Sequence, residues 1–271
     1  MTEYKSFTDK AAPRLFYAVL LERNIDSDAA SSLMDVAAFS TQFGAIHLYA
    51  PYQRTDMARN TYVRVFLRES KRDDDVLVMM DNDHLFPRDV VVRLASQVDA
   101  EHEVIGALAF RRSAPYDPVM YRFNERGESD IPTAFTGGLM PADIMGTGTI
   151  AIRRSVFKKL DDIGVVWPYF RYFYQDGAEI QRSEDWDFCL ALGRAGVKVF
   201  CDTSFFIPHI TKRTIGPEDW FKTLKDAQEA ERNGKSDQLD PVHSRLGLRF
   251  SFGGNGNGAN GNKPEPVASH G

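Results

Sequence analysis

Leu15–Leu21 (LFYAVLL) is the first stretch of the chain in which apolar positions run without a break, after a polar segment that ends at Pro13. An unbroken apolar run of that length predicts a buried strand. Similar runs return at Ala45–Ala50 (AIHLYA), Asp75–Met80 (DVLVMM) and Glu103–Phe110 (EVIGALAF). Between them the pattern changes to helical spacing. Asp26 and Ser27 offer caps to a helix over Ala29–Phe43, and Gly44 is its stop signal. Thr55 can cap a helix running to Ser70, on which Met57, Tyr62, Phe66 and Leu67 approximate one apolar stripe. Pro87 fits the first turn of a further helix over Asp89–Val98. Strand and helix thus alternate four times, which predicts an α/β fold with a mostly parallel central sheet flanked by helices. Ligands of such sheets collect at the carboxyl ends of the strands, where Asp81 and Asp83 follow their predicted strand.

The second half is less regular. Residues 111–141 are rich in Arg, Gly, Pro and Asp and read as loops, with a short strand at Val119–Phe123. Met145–Arg154 (MGTGTIAIRR) reads as a strand entered through glycines, and Ser155–Gly164 as a helix. An aromatic loop from Trp167 to Gln181 leads into a helix over Ser183–Gly196. Val197–Cys201 and Ser204–Ile207 read as two strands, and a polar helix with little apolar surface runs from Pro217 to about Asn233. From Gly253 to Asn262 nearly every residue is Gly or Asn, which cannot bury enough surface to offset the entropy of ordering. The expected organisation is a frayed start over 1–13, one domain over 14–235, and an extension over 236–271 with a flexible tail from about 253.

Composition narrows the classes. The 271 residues carry 33 Lys plus Arg against 38 Asp plus Glu, a net charge of -5. That argues against coating nucleic acid or an anionic membrane by bulk charge. The two cysteines, Cys189 and Cys201, supply neither a disulfide framework nor a cysteine-rich zinc site. No apolar run approaches the ~20 residues that span a bilayer. With a polar N-terminus lacking a signal core, the expected setting is cytoplasmic (host cytoplasm if phage-encoded).

Two segments carry chemistry. In VLVMMDNDHLFPRDV, two carboxylates two residues apart follow a buried run. Such a pair suits a hard divalent cation that also binds phosphate oxygens, or it is a solvated turn whose aspartates cap the following helix. In SEDWDFCLALGRAG, Glu184, Asp185 and Asp187 stand in the first turn of a helix, where acids also simply favour the dipole. His209 gains meaning only in combination with these segments.

The order of motifs is more specific than any one of them: Asp-x-Asp after a buried strand, Gly-Thr-Gly entering a later strand, a Glu-Asp helix, then a histidine. From Leu15 to His209 this resembles the GT-A glycosyltransferases, closest to the family-2-like enzymes and their phage and bacterial relatives. The resemblance implies the GT-A (nucleotide-diphospho-sugar transferase) fold and a hexosyl- or pentosyltransferase that moves a sugar from a nucleotide-diphosphate donor to an acceptor hydroxyl. It implies a Mn²⁺ or Mg²⁺ cofactor, with Asp81 near the nucleotide and metal, Asp83 a direct metal ligand and His209 completing the metal site. Glu184 and Asp185 match the acceptor-base position, with Asp185 as base of an inverting reaction. Gly146, Thr147 and Gly148 match the segment lining the donor sugar, while Arg59 and Asn60 match the helix that approaches the nucleotide, with Arg59 able to pair with phosphate. The acceptor, whether glycan, protein or modified nucleic acid, is not named by the sequence.

Several residues stay open. Asn24 and Asp26 are candidates for base recognition, because the Pro and Asn/Asp pair common after the first strand in family 2 is missing. Asp187 could take the base role. Arg111 and Arg112 could touch diphosphate or be solvated, and the aromatic residues Trp167–Tyr174 could form a lid, an acceptor platform or packing against the sheet. Competing readings are a nucleotidyltransferase of sugar phosphates and a non-catalytic nucleotide-sugar or glycan-binding module of the same fold.

Overall fold

The structure is a computed structural model that describes residues 4–21, 24–50, 52–174, 180–211 and 214–232. The chain divides into a unit spanning Met1–Gln238 and a second, Leu239–Gly271. The second unit, with the expected extension and Gly/Asn tail, lies outside the described residues.

The elements of the first half follow the apolar runs: β1 (Leu15–Leu20), α1 (Ser27–Gln42), β2 (Ile46–Leu48), α2 (Thr55–Glu69), β3 (Val76–Asp81), α3 (Val90–Gln97) and β4 (Val104–Ala109). Then come β5 (Met120–Phe123), β6 (Ser129–Asp130), β7 (Leu139–Ala142), β8 (Ile144–Met145), β9 (Thr149–Arg153) and α4 (Ser155–Asp162). The chain continues through β10 (Phe173–Tyr174), β11 (Ile180–Arg182), α5 (Glu184–Arg194), β12 (Val199–Ile207), β13 (His209–Ile210), β14 (Thr214–Ile215) and α6 (Pro217–Arg232). No helix among the described residues is long and apolar enough to cross a membrane.

Seven strands form the central sheet in the order β2-β1-β3-β9-β4-β12-β7. The pairs β1/β2, β1/β3 and β4/β12 are parallel, as the strand–helix alternation requires. β9 runs the other way between β3 and β4, pairing Val76 with Arg153 and Met80 with Thr149. Its entry therefore lies beside the exit of β3, and the Asp81 amide donates to the Gly148 carbonyl at 2.8 Å. This antiparallel insertion brings the glycine segment to the strand-end acids.

β1, β3 and β4 are buried along almost their whole length, which is why they read as continuous apolar runs. One face packs α3 through Val90, Val91 and Leu94, together with Val36 of α1. α2 contributes Tyr62, Val63 and Phe66, with Phe66 edge-on to Phe16 at 5.3 Å.

Several elements differ from the sequence pattern. The N-terminal segment, expected to be frayed, is docked from Tyr4 on: Phe7 joins the core and its amide donates to the Phe43 carbonyl at 3.0 Å. Asp26 caps α1 by accepting from the Asp28 amide, so that carboxylate is a structural group. Thr55 is the first residue of α2 and not its cap; no side chain caps that end, and Arg54 pairs with Asp56 at 2.6 Å. Met57 is 54% exposed, and Val63 takes its place in the stripe. Pro87 precedes α3, closing a turn by accepting from the Val90 amide. The two strands expected after α5 are one strand, β12, interrupted by a register shift between Asp202 and Phe206. β7, from the region read as loop, pairs with β12 as an edge strand. α6 buries Trp220 against Phe110 and Phe135, so it carries more apolar surface than its polar composition suggests.

Candidate active site

The acidic motif leaves β3 at its carboxyl end. Asp81 accepts from one terminal nitrogen of Arg59 at 2.9 and 3.1 Å, and the other terminal nitrogen donates to the Thr147 carbonyl at 2.9 Å. Arg59 Nε stands 3.7 Å from a carboxylate oxygen of Glu184. One guanidinium, only 2% exposed, therefore joins the Asp-x-Asp, Gly-Thr-Gly and Glu-Asp segments. Helix α2 makes this possible by burying Arg59 beneath the strand ends. Of the two roles open to Arg59, a partner for phosphate or a helix-surface arginine, the second does not hold, since it is 2% exposed and its charge faces Asp81 and Glu184.

Asp83 and His209 meet because two backbone segments pair. The Ile210 amide donates to the Asp83 carbonyl at 2.7 Å and the Leu85 amide to the Pro208 carbonyl at 3.0 Å, which sets His84 opposite His209. The two imidazoles lie 3.8 Å apart, centre to centre. Asp83, His84 and His209 offer one carboxylate oxygen and two ring nitrogens within 4.8 Å of one another. His84 is 1% exposed, and neither of its ring nitrogens has a hydrogen-bond partner. Its Nδ1 comes within 2.8 Å of Asp83 Oδ1, but without hydrogen-bonding alignment, so both atoms remain unsatisfied. His209 Nδ1 contacts the Phe110 carbonyl. A carbonyl only accepts, so Nδ1 carries the proton and Nε2 keeps its lone pair.

Burial pushes the His84 ring down to about 4, against the opposing pull of Asp81, and the His209 ring down to about 3, helped by neighbouring His84. Both rings are thus neutral near pH 7, the form that ligates metal. Unsatisfied buried nitrogens, neutral imidazoles and a carboxylate form a set that fits a divalent cation. The exposed Arg112 pairs with Asp83, and a cavity of about 70 Å³ lies between it, Leu20, Gln53, Thr55, Asp81 and Asn82.

Gly148 approaches this cluster closely. A Cβ at that position would meet His84 Cε1 at 2.9 Å and Asp81 Oδ2 at 3.5 Å. Gly146 serves packing instead: its Cβ would meet Val119 Cγ1 at 2.8 Å. Thr147 is buried with its hydroxyl unpartnered.

At the start of α5, Glu184 is 6% exposed. Burial raises its carboxyl above the usual range, Arg59 pulls it back, Asp185 pushes it up and a Tyr172 hydrogen bond lowers it. Asp185 is more open; it accepts from the Trp186 amide at 2.7 Å and from the Ser183 hydroxyl. Ser183 thus spends its hydroxyl on Asp185, not on capping the helix backbone. Asp187 is held by Arg182 at 2.9 Å and Arg171 at 3.3 Å and is 2% exposed, which removes it as a base. Arg111 donates to the Tyr121 hydroxyl at 2.7 Å, and the Tyr121 ring packs on Trp186.

Asn60 is diverted from the site. Its side-chain nitrogen donates to the carbonyls of Asp56 and Phe170, and its oxygen accepts from the amides of Tyr169 and Phe170, all within 3.0 Å. Both donors and both acceptor positions are used inside the protein, so nothing remains for a nucleotide. Conversely, His84 and Arg112 belong to the site although the motif order did not select them. The signal for His84 was its place directly after Asp83, and for Arg112 there was none beyond its position after a strand.

No protein-family model matches the chain, and no curated protein matches it. Among solved structures it is similar to A197 from STIV, at 15% identity over 77% of this chain and 92% of that one, with a TM-score of 0.47. It is also similar to 4-diphosphocytidyl-2C-methyl-D-erythritol synthase, at 11% identity over 79% and 99% of the two chains with a TM-score of 0.40. A nucleoside-diphosphate-sugar pyrophosphorylase from Vibrio cholerae RC9 matches at 12% identity over 79% and 81%, with a TM-score of 0.34. At these identities no residue role transfers, and the chemistry of the site rests on its own geometry.

Proposed function

We propose that this chain is a metal-dependent GT-A glycosyltransferase that moves a sugar from a nucleotide-diphosphate donor to an acceptor hydroxyl, with inversion and with Asp185 as base. The observation that carries this reading is the cluster of Asp83, His84 and His209 beside Asp81 and Gly148 at the carboxyl end of β3, with Arg59 tying Asp81 to Glu184, the neighbour of Asp185. Asp83, His84 and His209 would hold the ion. When bound, it would neutralise the negative charge that builds on the departing diphosphate. Two imidazoles beside one carboxylate suit Mn²⁺ better than Mg²⁺, which prefers an all-oxygen shell.

The protein's own groups do the rest. Asp81, oriented by Arg59, lines the cavity and would contact the nucleotide of a bound donor. Gly148, lacking a Cβ, lets the His84 ring and Asp81 pack against the backbone at the entry of β9. Arg112 is the counter-cation of Asp83 in this structure and, being exposed, is free to turn toward a diphosphate. Asp185 removes the proton of the attacking hydroxyl, while Glu184, buried between Arg59 and Tyr172, sets the position of its neighbour.

The test is a panel of nucleotide sugars incubated with the protein in Mn²⁺ and in EDTA, read by thermal shift and by product analysis. A shift for one donor that needs Mn²⁺, with release of nucleoside diphosphate, is expected. Release of pyrophosphate from a sugar phosphate and a nucleoside triphosphate would instead make the chain a nucleotidyltransferase. Binding without turnover in the presence of acceptors would make it a binding module.

A further inference from the structure

A cleft of about 870 Å³ lies between the start of α2 and the segment 167–173. That volume is in the range of sites that enclose small ligands. Its walls include Met57, 54% exposed, and Trp167, 49% exposed, together with Tyr172 and Phe173. Large apolar side chains left open in one concave place mark a contact surface.

The platform is held rigid. Asn60 spends all four of its hydrogen bonds on the backbone of Asp56, Tyr169 and Phe170, and the Trp167 indole donates to the Asn60 carbonyl. An aromatic surface fixed in advance loses little entropy when a ligand settles on it.

The charge of the cleft is opposite to that of the chain. Among the described residues, Arg54, Arg64 and Arg171 line it against a single carboxylate, Asp56. Arg54 is taken by Asp56 through two contacts at 2.6 Å, and Arg171 turns to Asp187 at 3.3 Å. Arg64 makes no ion pair among the described residues; its guanidinium lies 5.5 Å from the centre of the Trp167 ring. One cation without an ion pair among the described residues thus stands beside the half-exposed Trp167 ring, in a chain whose net charge is -5.

The cleft also adjoins the reactive end of the site. Gln53 is shared between its wall and that of the cavity holding Asp81 and Asp83, and Tyr172 hydrogen-bonds Glu184.

We propose that this cleft is the acceptor site and takes an acidic saccharide, with sugar rings lying on the Trp167–Phe173 aromatics and a carboxylate or phosphate group paired with Arg64. The assignment as acceptor site rests on the glycosyltransferase reading. The apolar face of a pyranose ring packs on an aromatic side chain, and a guanidinium is the matching partner for a carboxylate or phosphate. A nucleic-acid strand carries a charge on every nucleotide and calls for an extended basic track. One arginine without an ion pair among the described residues matches one anionic group.

The experiment measures binding of a glucuronate-terminated disaccharide, its neutral glucose counterpart and a single-stranded oligodeoxynucleotide by titration calorimetry. Mn²⁺ binding by electron paramagnetic resonance, and nucleotide-sugar binding by thermal shift, are followed in the same preparations. The glucuronate disaccharide is expected to bind at least about tenfold more tightly than the neutral one, and Arg64→Gln to remove that margin, the size expected for one charge-assisted hydrogen bond. Arg64→Gln should leave Mn²⁺ binding unchanged, and Trp167→Ala should weaken both disaccharides. Equal binding of the two disaccharides, or no effect of Arg64→Gln, overturns the proposal. Tighter binding of the oligonucleotide that is lost in Arg64→Gln overturns it in favour of nucleic acid. If Mn²⁺ and a nucleotide sugar bind but neither disaccharide does, the cleft proposal fails and the transferase reading stands. If the glucuronate disaccharide binds but no nucleotide sugar does, the transferase reading fails and the acceptor assignment falls with it.

Discussion

Arg59 holds both carboxylate oxygens of Asp81 with one terminal nitrogen, at 2.9 and 3.1 Å, from a position that is itself 2% exposed. A buried guanidinium is tolerable only if its charge is matched, and here two acids from different elements match it. Arg59→Met leaves Asp81 and Glu184 facing each other without a cation. We expect a loss of about 3 kcal/mol, the low end for a broken buried pair because Asp81 keeps a quarter of its side chain exposed. Urea denaturation measures it. The double variant Arg59→Met/Asp81→Asn should recover part of the loss, and a loss that does not depend on the Asp81 charge would contradict the pairing.

The donor set of the metal site makes a statement about ion choice. Asp83→Asn should abolish Mn²⁺ binding seen by electron paramagnetic resonance, with the melting curve showing an intact fold. His84→Gln replaces an imidazole by an oxygen-bearing amide and should narrow the preference for Mn²⁺ over Mg²⁺. Thermal-shift titrations with each ion compare the two. An unchanged preference would take His84 out of the ligand set.

Asp185→Asn should cut turnover by roughly 10²–10⁴-fold, the usual contribution of a positioned general base, with donor binding little changed. Single-turnover kinetics and calorimetry separate the two effects. The anomeric configuration of the first-formed product, read by NMR, should be inverted. A retained anomer would leave Asp185 to orient the acceptor.

Asp202 provides a pH test away from the site. Burial by itself raises its carboxyl, but hydrogen bonds from Ser204 and Gln97 and the charge of Arg93 outweigh that and hold it below the usual value. A carboxyl depressed by folding stabilises the protein above its unfolded value and loses that contribution as pH falls through the folded one. Asp202→Asn should therefore be less stable than the parent protein at pH 7, by about 1–3 kcal/mol. The gap should close as pH drops from about 4 downward. Chemical denaturation at a series of pH values follows it, and a gap that widens in acid would reverse the sign.

Local pattern determined much of this molecule. β1, β3 and β4 were legible because a strand buried on both faces must be apolar at every position, and the helices between them because one apolar face repeats with helical spacing. The carboxyl-end position of Asp81 and Asp83 followed from the same reading, since the apolar run stops where the strand does. The helix beginning at Glu184 was likewise visible from its acidic first turn.

What the sequence could not decide was which way neighbouring residues face and which distant segments pair. Arg59 and Asn60 are adjacent on α2, about 100° apart around a helix of 3.6 residues per turn. One reaches Asp81 and the other the 167–170 turn. Gly146 and Gly148 look alike in a Gly-Thr-Gly string, yet one makes room for Val119 and the other for His84. The antiparallel insertion of β9 and the pairing of 83–85 with 208–210 join segments far apart in the chain, and no local preference encodes such contacts. His84 became a candidate ligand only through that pairing, because a buried imidazole with both nitrogens unsatisfied is a property of its surroundings and not of its neighbours in sequence.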